Sequence, residues 1–213
     1  MAASYMTYNN LVRMVKSYLN RGYSTDLGYT DQDIKDQIML AEARLSMESK
    51  ILGNMLAVTG YLTAGNPTLA KPSRWRETVD LAIDANNEYT KIERRTYEYM
   101  SSYWGNRNVR STPKYYCDYS DEFFLILPTP DFAYAYEMIC YITPGPLSEA
   151  TQTNYWTNNA PNCLLYATLL ESAPFLKDDE RIPVWEKMYD RALAALNGED
   201  QRHPVDRGTM EGA

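Results

Sequence analysis

Read from the N-terminus, the chain opens with two segments whose apolar residues recur at helical spacing. Leu11, Val12, Val15 and Leu19 share one side of a first predicted helix over about 7–21, with Thr7 as its capping residue and Gly22 as its end. Thr30, followed by Asp31 and Asp33, opens a second and longer helix over about 30–52. Ile34, Ile38, Ala41, Leu45 and Leu52 recur there in one apolar stripe, while Arg44, Glu48 and Lys50 lie off it, toward solvent or a neighbour.

The period then changes. Gly60, Gly65, Pro67 and Pro72 interrupt helices, and from Trp75 the residues alternate. Trp75, Glu77, Val79, Leu81 and Ile83 fall on one face and Arg76, Thr78, Asp80, Ala82 and Asp84 on the other, the pattern of a half-buried strand. Residues 84–87 are turn-like. Residues 93–104 predict a short helix ended by Gly105 and Asn106, followed by a polar loop over 106–114. Two further strands follow. Residues 123–127 are apolar throughout, and 133–142 alternate, with Tyr134, Tyr136, Met138, Cys140 and Ile142 on one side. Pro128, Pro130 and Asp131 between them predict a hairpin turn. Pro144, Gly145 and Pro146 close this β-rich stretch.

The C-terminal third returns to helices. Residues 160–171 are apolar on nearly every side (Cys163, Leu164, Leu165, Tyr166, Leu169, Leu170), which marks a helix buried on several faces. Pro174 ends or bends it. Asp178, Asp179 and Glu180 place capping oxygens and negative charge at the next helix start. Ile182, Trp185, Tyr189, Ala192 and Leu196 then form one stripe, with Gly198 as a stop. The expected core of this pair is Leu165, Leu169, Trp185, Tyr189 and Leu196.

These elements predict an α+β fold: mainly an α-helical bundle with an inserted small antiparallel β lobe. One domain spans 1–198, with helices over about 7–21, 30–52, 160–173 and 179–197 and the insertion over about 55–145. No succession of βαβ units supports a doubly wound sheet. Apolar periodicity stops near residue 199, so 199–213 read as a flexible tail that orders on binding.

Composition narrows the function. At 213 residues, with 45% hydrophobic and 23% charged residues, the chain is an ordinary globular one. Its formal net charge of −7 argues against gripping nucleic acid through phosphates, and suits a channel that DNA slides through. The 19 Tyr against 4 Phe supply large apolar faces with polar tips, useful on surfaces that become buried on assembly or in strands and loops of the monomer. Cys117, Cys140 and Cys163 are widely spaced and read as reduced and structural. Residues 1–20 carry Asn9, Asn10, Arg13 and Lys16, unlike a signal peptide, and no run approaches a membrane span, so a cytosolic origin is expected.

Catalytic chemistry finds little support. The chain contains no phosphate-binding glycine motif, no H-E-x-x-H and no G-x-S-x-G. His203, the single histidine, falls in the tail, where a nucleophile's base would not be held. Asp178, Asp179 and Glu180 have a complete account as a helix cap, and Asp118, Asp121 and Glu122 lack the spacing of a calcium loop. No catalytic, cofactor or metal site is expected. Arg94 and Arg95, interleaved with Tyr97, Tyr99, Tyr103 and Trp104, admit three readings: a protein interface, packing within the monomer, or base stacking. Glu93 and Glu98 in the same stretch weigh against the last.

The wording LLYATLLESAPFLKDDER over 164–181, then Trp185, Tyr189 and the AL-x-x-L that ends at Leu196, resembles the head-to-tail adaptor (connector) proteins of tailed phages. The resemblance continues through LILPTPD at 125–131, YITPGPLSEATQTNYW at 141–156 and AEARL at 41–45. It implies a structural virion protein of the neck, assembled in the host cytoplasm. Such a protein forms a homo-oligomeric ring, a dodecamer, between the portal and the tail (nozzle, tube or fibre-bearing) proteins. DNA would pass through without specific binding, and no membrane is involved. In that setting Arg202, Val205, Arg207 and Met210 become candidate portal-docking residues of the tail. Two other readings stand beside it: a different neck or tail component, such as a completion or tail-tube protein, and a small α+β enzyme.

Overall fold

The computed structural model describes residues 6–19, 30–49, 51–85, 87–175 and 180–201. The chain divides into two compact units, Met1–Asn54 with Pro144–Ala213 and Met55–Thr143.

The first unit is helical. Thr7 caps α1 (Tyr8–Tyr18), its hydroxyl accepting from the Asn10 amide at 3.2 Å. Thr30 caps α2 (Asp31–Glu48) reciprocally: its hydroxyl accepts from the Asp33 amide while the Asp33 carboxylate accepts from the Thr30 amide. α2 ends four residues before Leu52. The Ser49 hydroxyl donates to the Leu45 carbonyl, and the chain turns through a 3-10 segment, Leu52–Asn54. Gly53 at that turn lies under the Tyr155 ring, where a Cβ would come within 1.8 Å of a ring carbon.

Asn154 caps α4 (Tyr155–Asn159), and Pro161 opens α5 (Pro161–Glu171) at a position that needs no amide donor. α5 is the centre of this unit. It buries Cys163, Leu164, Leu165, Ala167, Thr168 and Leu169, and α1, α2 and α6 (Ile182–Gln201) all pack against it. Leu165, Leu169, Trp185, Tyr189 and Leu196 are buried in the same cluster as Leu11, Ile34, Ile38, Leu45 and Trp156. α6 runs through Gly198 to Gln201. A single interior glycine costs about 1 kcal/mol of helix propensity, too little to end a helix already anchored by Trp185, Tyr189 and Leu196. Glu180 is exposed in the turn before α6, while Asp178 and Asp179 lie outside the described residues.

Polar groups tie these helices together. The buried Glu42 carboxylate on α2 accepts from the Leu147 amide at 3.1 Å and from Asn154 Nδ2, joining the incoming segment to the helix cap. Burial pushes this carboxyl up despite both donors. The Ser172 hydroxyl donates to Gln37 Oε1 at 2.6 Å, and Arg44 pairs with Glu171 at 2.7 Å.

The second unit is a β-sandwich. One sheet has the order β1-β8-β3-β4, from β1 (Met55–Tyr61), β8 (Ala135–Ile142), β3 (Trp75–Ala85) and β4 (Glu88–Lys91), all antiparallel. The other has the order β2-β7-β6-β5, from β2 (Thr68–Ala70), β7 (Phe123–Leu127), β6 (Tyr115–Asp118) and β5 (Glu93–Arg94), with β5 and β6 parallel. Leu81, Ile83, Met138 and Cys140 of the first sheet pack with Leu69, Tyr116, Phe124 and Ile126 of the second. A short helix, α3 (Tyr97–Tyr103), covers the outer face of the second sheet through Met100, against Cys117, Leu125 and Leu127. β7 is therefore apolar on both faces because both are covered.

This architecture corrects the expected one. With six α-helices and two four-stranded sheets among the described residues, this is a mixed α+β protein rather than a mainly helical bundle with a small antiparallel lobe. β1, β2, β4 and β6 went unread because they are short or mostly exposed, and such strands carry no two-residue hydrophobic alternation. The hairpin expected between 123–127 and 133–142 does not form: β7 and β8 belong to different sheets. Pro128 and Pro130 offer no amide to extend a ladder, and Thr129 bridges Arg110 instead. The strict alternation from Trp75 also fails. Register shifts lie between Trp75 and Glu77 and between Thr78 and Asp80, so Thr78 stands opposite the inward Cys140, and its hydroxyl accepts from Trp75 Nε1 at 3.0 Å. Val79 is displaced outward and is 42% exposed. Residues 93–104 begin as strand β5, and only their second half is helical.

Candidate protein interface

The parallel pairing of β5 with β6 places Glu93 beside Tyr115 and Arg94 beside Tyr116, across more than twenty residues of chain. That pairing gathers the Arg–Tyr cluster into a surface. Thr96 caps α3 by accepting from the Tyr99 amide at 3.3 Å, which fixes the helix across the strands. Tyr99 then lies 4.6 Å from Tyr103 and 5.9 Å from Tyr115 between ring centres, and Trp104 lies 5.2 Å from Tyr115. Arg95 stands 5.6 Å from the rings of both Tyr99 and Tyr115.

Arg107, beyond α3, extends this mesh. Its guanidinium donates to the hydroxyls of Tyr97 and Tyr119 at 3.3 and 3.4 Å and sits 5.3 Å over the Tyr119 ring. The Tyr119 hydroxyl in turn holds this guanidinium above its ordinary pKa. Tyr103 is 69% exposed, and Tyr97 and Tyr119 are each more than 40% exposed. The surface is thus amphipathic, and it keeps much of its aromatic area in water.

Arg94 and Arg95 are matched by acids. Arg95 pairs with Glu93 and Arg94 with Asp118, which also holds Lys71 at 2.9 Å. Lys71 is almost fully buried and lies 4.0 Å over the Trp75 ring. Burial raises the Asp118 carboxyl, but Lys71 and Arg94 outweigh it and hold the group below the ordinary aspartate value of 3.8. A shallow groove of about 650 Å³ is lined by Arg94, Arg95, Thr96, Tyr97, Tyr99 and Asp118 among others. Phosphate binding wants clustered cations without internal partners. Aromatic area with neutralised arginines fits a protein partner better.

The sequence reading reached Arg94, Arg95, Tyr97, Tyr99, Tyr103 and Trp104, which the fold brings together. It missed Arg107, Tyr115 and Tyr119, for which the tyrosine-rich run at 115–119 was the only local signal. Arg202, Val205, Arg207 and Met210 lie outside the described residues, as does His203. Cys117, Cys140 and Cys163 are free and buried, and burial pushes the Cys163 thiol up to about 11. Among the described residues, no group of three or more His, Cys, Asp or Glu could hold a metal ion, and no helix is long and apolar enough to cross a membrane.

The family comparison decides what kind of protein carries this surface. The SU10 adaptor protein family matches residues 6–209, which takes in both units. The chain belongs to that family. It is therefore a bacteriophage structural protein of the head–tail adaptor kind. No curated protein matches the chain. For an SU10-family adaptor, whose work is association with other head and tail proteins, an exposed aromatic surface with neutralised arginines is the expected chemistry.

Proposed function

We propose that this adaptor assembles as a dodecameric ring between the portal and the tail, with DNA passing through its lumen. The observation that carries the reading is the family match across 6–209. Physical features support it. A subunit of net charge −7 repeated around a ring repels the phosphate backbone, so DNA passes without sticking. The Tyr97–Tyr103 helix and its neighbours Arg107, Tyr115 and Tyr119 form the surface that meets an adjoining virion protein. The C-terminal segment docks on the portal, Arg202 and Arg207 pairing with acidic side chains while Val205 and Met210 fill small pockets.

The test is assembly on purified portal. The adaptor alone is expected to run at subunit mass, and addition of portal to give a complex whose images show an adaptor ring on one end of the portal. Binding to purified tail proteins with none to portal would overturn the reading in favour of a tail-completion or tail-tube role.

A further inference from the structure

α2 is apolar on two opposite faces. Ile34, Ile38, Ala41 and Leu45 are buried within the helical unit, as the core requires. On the other side Met39, Leu40, Ala43 and Met47 follow at helical spacing and remain exposed, Met47 at 71% and Met39 at 58%. A helix that is apolar on both faces is one made to be covered on both. α6 carries a second such stripe. Val184, Met188, Arg191 and Ala195 recur at offsets of four, three and four and are all exposed, beside the buried Trp185, Tyr189 and Leu196.

The two stripes differ in charge. Asp36 lies on the α2 stripe, whereas Lys187 and Arg191 lie along the α6 stripe, with Glu186 and Asp190 on the far side of that helix. All of these charged residues are exposed. The lengths also agree. Met39 to Met47 spans about 12 Å and Val184 to Ala195 about 16 Å at the helical rise of 1.5 Å per residue.

We infer that the α2 stripe of one copy packs against the α6 stripe of the next, and that this contact builds the ring wall. The inference rests on the ring reading above and names the surfaces that make it. A symmetric dimer through α2 would cover one stripe, bring Asp36 near its own copy and leave α6 bare. A head-to-tail contact covers both stripes in every subunit and sets acid against base. A contact between unlike surfaces builds a ring when the rotation from copy to copy closes.

Single-cysteine variants test this, because Cys117, Cys140 and Cys163 are buried and leave the surface free of thiols. Met47→Cys and Met188→Cys adaptors are prepared separately, mixed, assembled on portal and treated with a short bis-maleimide. The mixture is expected to yield cross-linked dimers, each variant alone little or none, and the double variant a ladder of multimers. Leu40→Asp should melt within a degree or two of the parent, since its site is exposed, yet lose ring assembly at least tenfold. Two results overturn the interface while leaving the ring reading intact. One is rings that form on portal but give no cross-link between the two sites; the other is cross-linking within one variant as strong as in the mixture. Failure of the parent adaptor to gain mass on portal overturns both.

Discussion

At the residue scale, two side chains set clear expectations. Trp185 is 4% exposed in the helical core, with Arg181 5.1 Å over its ring. Trp185→Ala should cost about 3–5 kcal/mol in urea denaturation, the range for emptying a large aromatic site. A variant that melts like the parent would place the ring's packing elsewhere. Asp118 bridges Lys71 and Arg94, and its folded-state pKa is lower than its unfolded value. Its contribution is therefore present above the unfolded value of 3.8 and is lost as pH falls through the lower folded value. Asp118→Asn should destabilise the sandwich by about 1–2 kcal/mol at pH 7, discounted because the carboxylate is one-third exposed. Thermal melts of variant and parent should converge as pH drops below 3.8.

At the scale of elements, the start of α4 depends on a side chain from α2. Glu42 accepts from the Leu147 amide and from Asn154 Nδ2, and Asn154 Oδ1 accepts from the Trp156 amide at 3.0 Å. Glu42→Ala leaves the buried Leu147 amide without its acceptor and the half-buried Asn154 carboxamide with only the Gly145 carbonyl, at a cost of about 1–3 kcal/mol. The effect should appear in hydrogen exchange as faster exchange of amides in 147–160, ahead of those in the β-sandwich. Uniform acceleration across the chain would show that Glu42 supports global stability rather than this junction. The β-sandwich follows a different logic. Its β5–β6 pairing is long-range, and the aromatic surface exists only because that pairing brings Arg95 against Tyr115.

At the scale of the whole molecule, the C-terminal segment tests where the portal docks. α6 is described to Gln201, so truncation after that residue leaves every described helix in place. The melting temperature should stay within about 1–2 °C of the parent, whereas portal binding measured by co-sedimentation should fall at least tenfold. In the proposed ring, twelve weak contacts would add through avidity, so losing all of them would have a large effect even where each is modest. Full occupancy on portal by the truncated adaptor would move docking onto the folded units.

Local chemistry was legible in the chain. Thr7 and Thr30 mark helix starts because a capping hydroxyl needs only amides within the next three residues, and the apolar runs at 123–127 and 161–171 announce burial on more than one side. The family, too, was readable, because the wording around 164–196 persists in the linear sequence. What the tertiary structure decided depends on distant partners. The bulges that turn Val79 outward exist only against β8, and the separation of β7 from β8 reflects strands 68–70 and 115–118 competing for the same edges. Burial in short or edge strands is likewise conferred by a neighbour and leaves no period behind. The mesh of Arg95, Arg107, Tyr99, Tyr115 and Tyr119 is of that second kind: its residues are plain in the sequence, but their meeting is a property of the sheet.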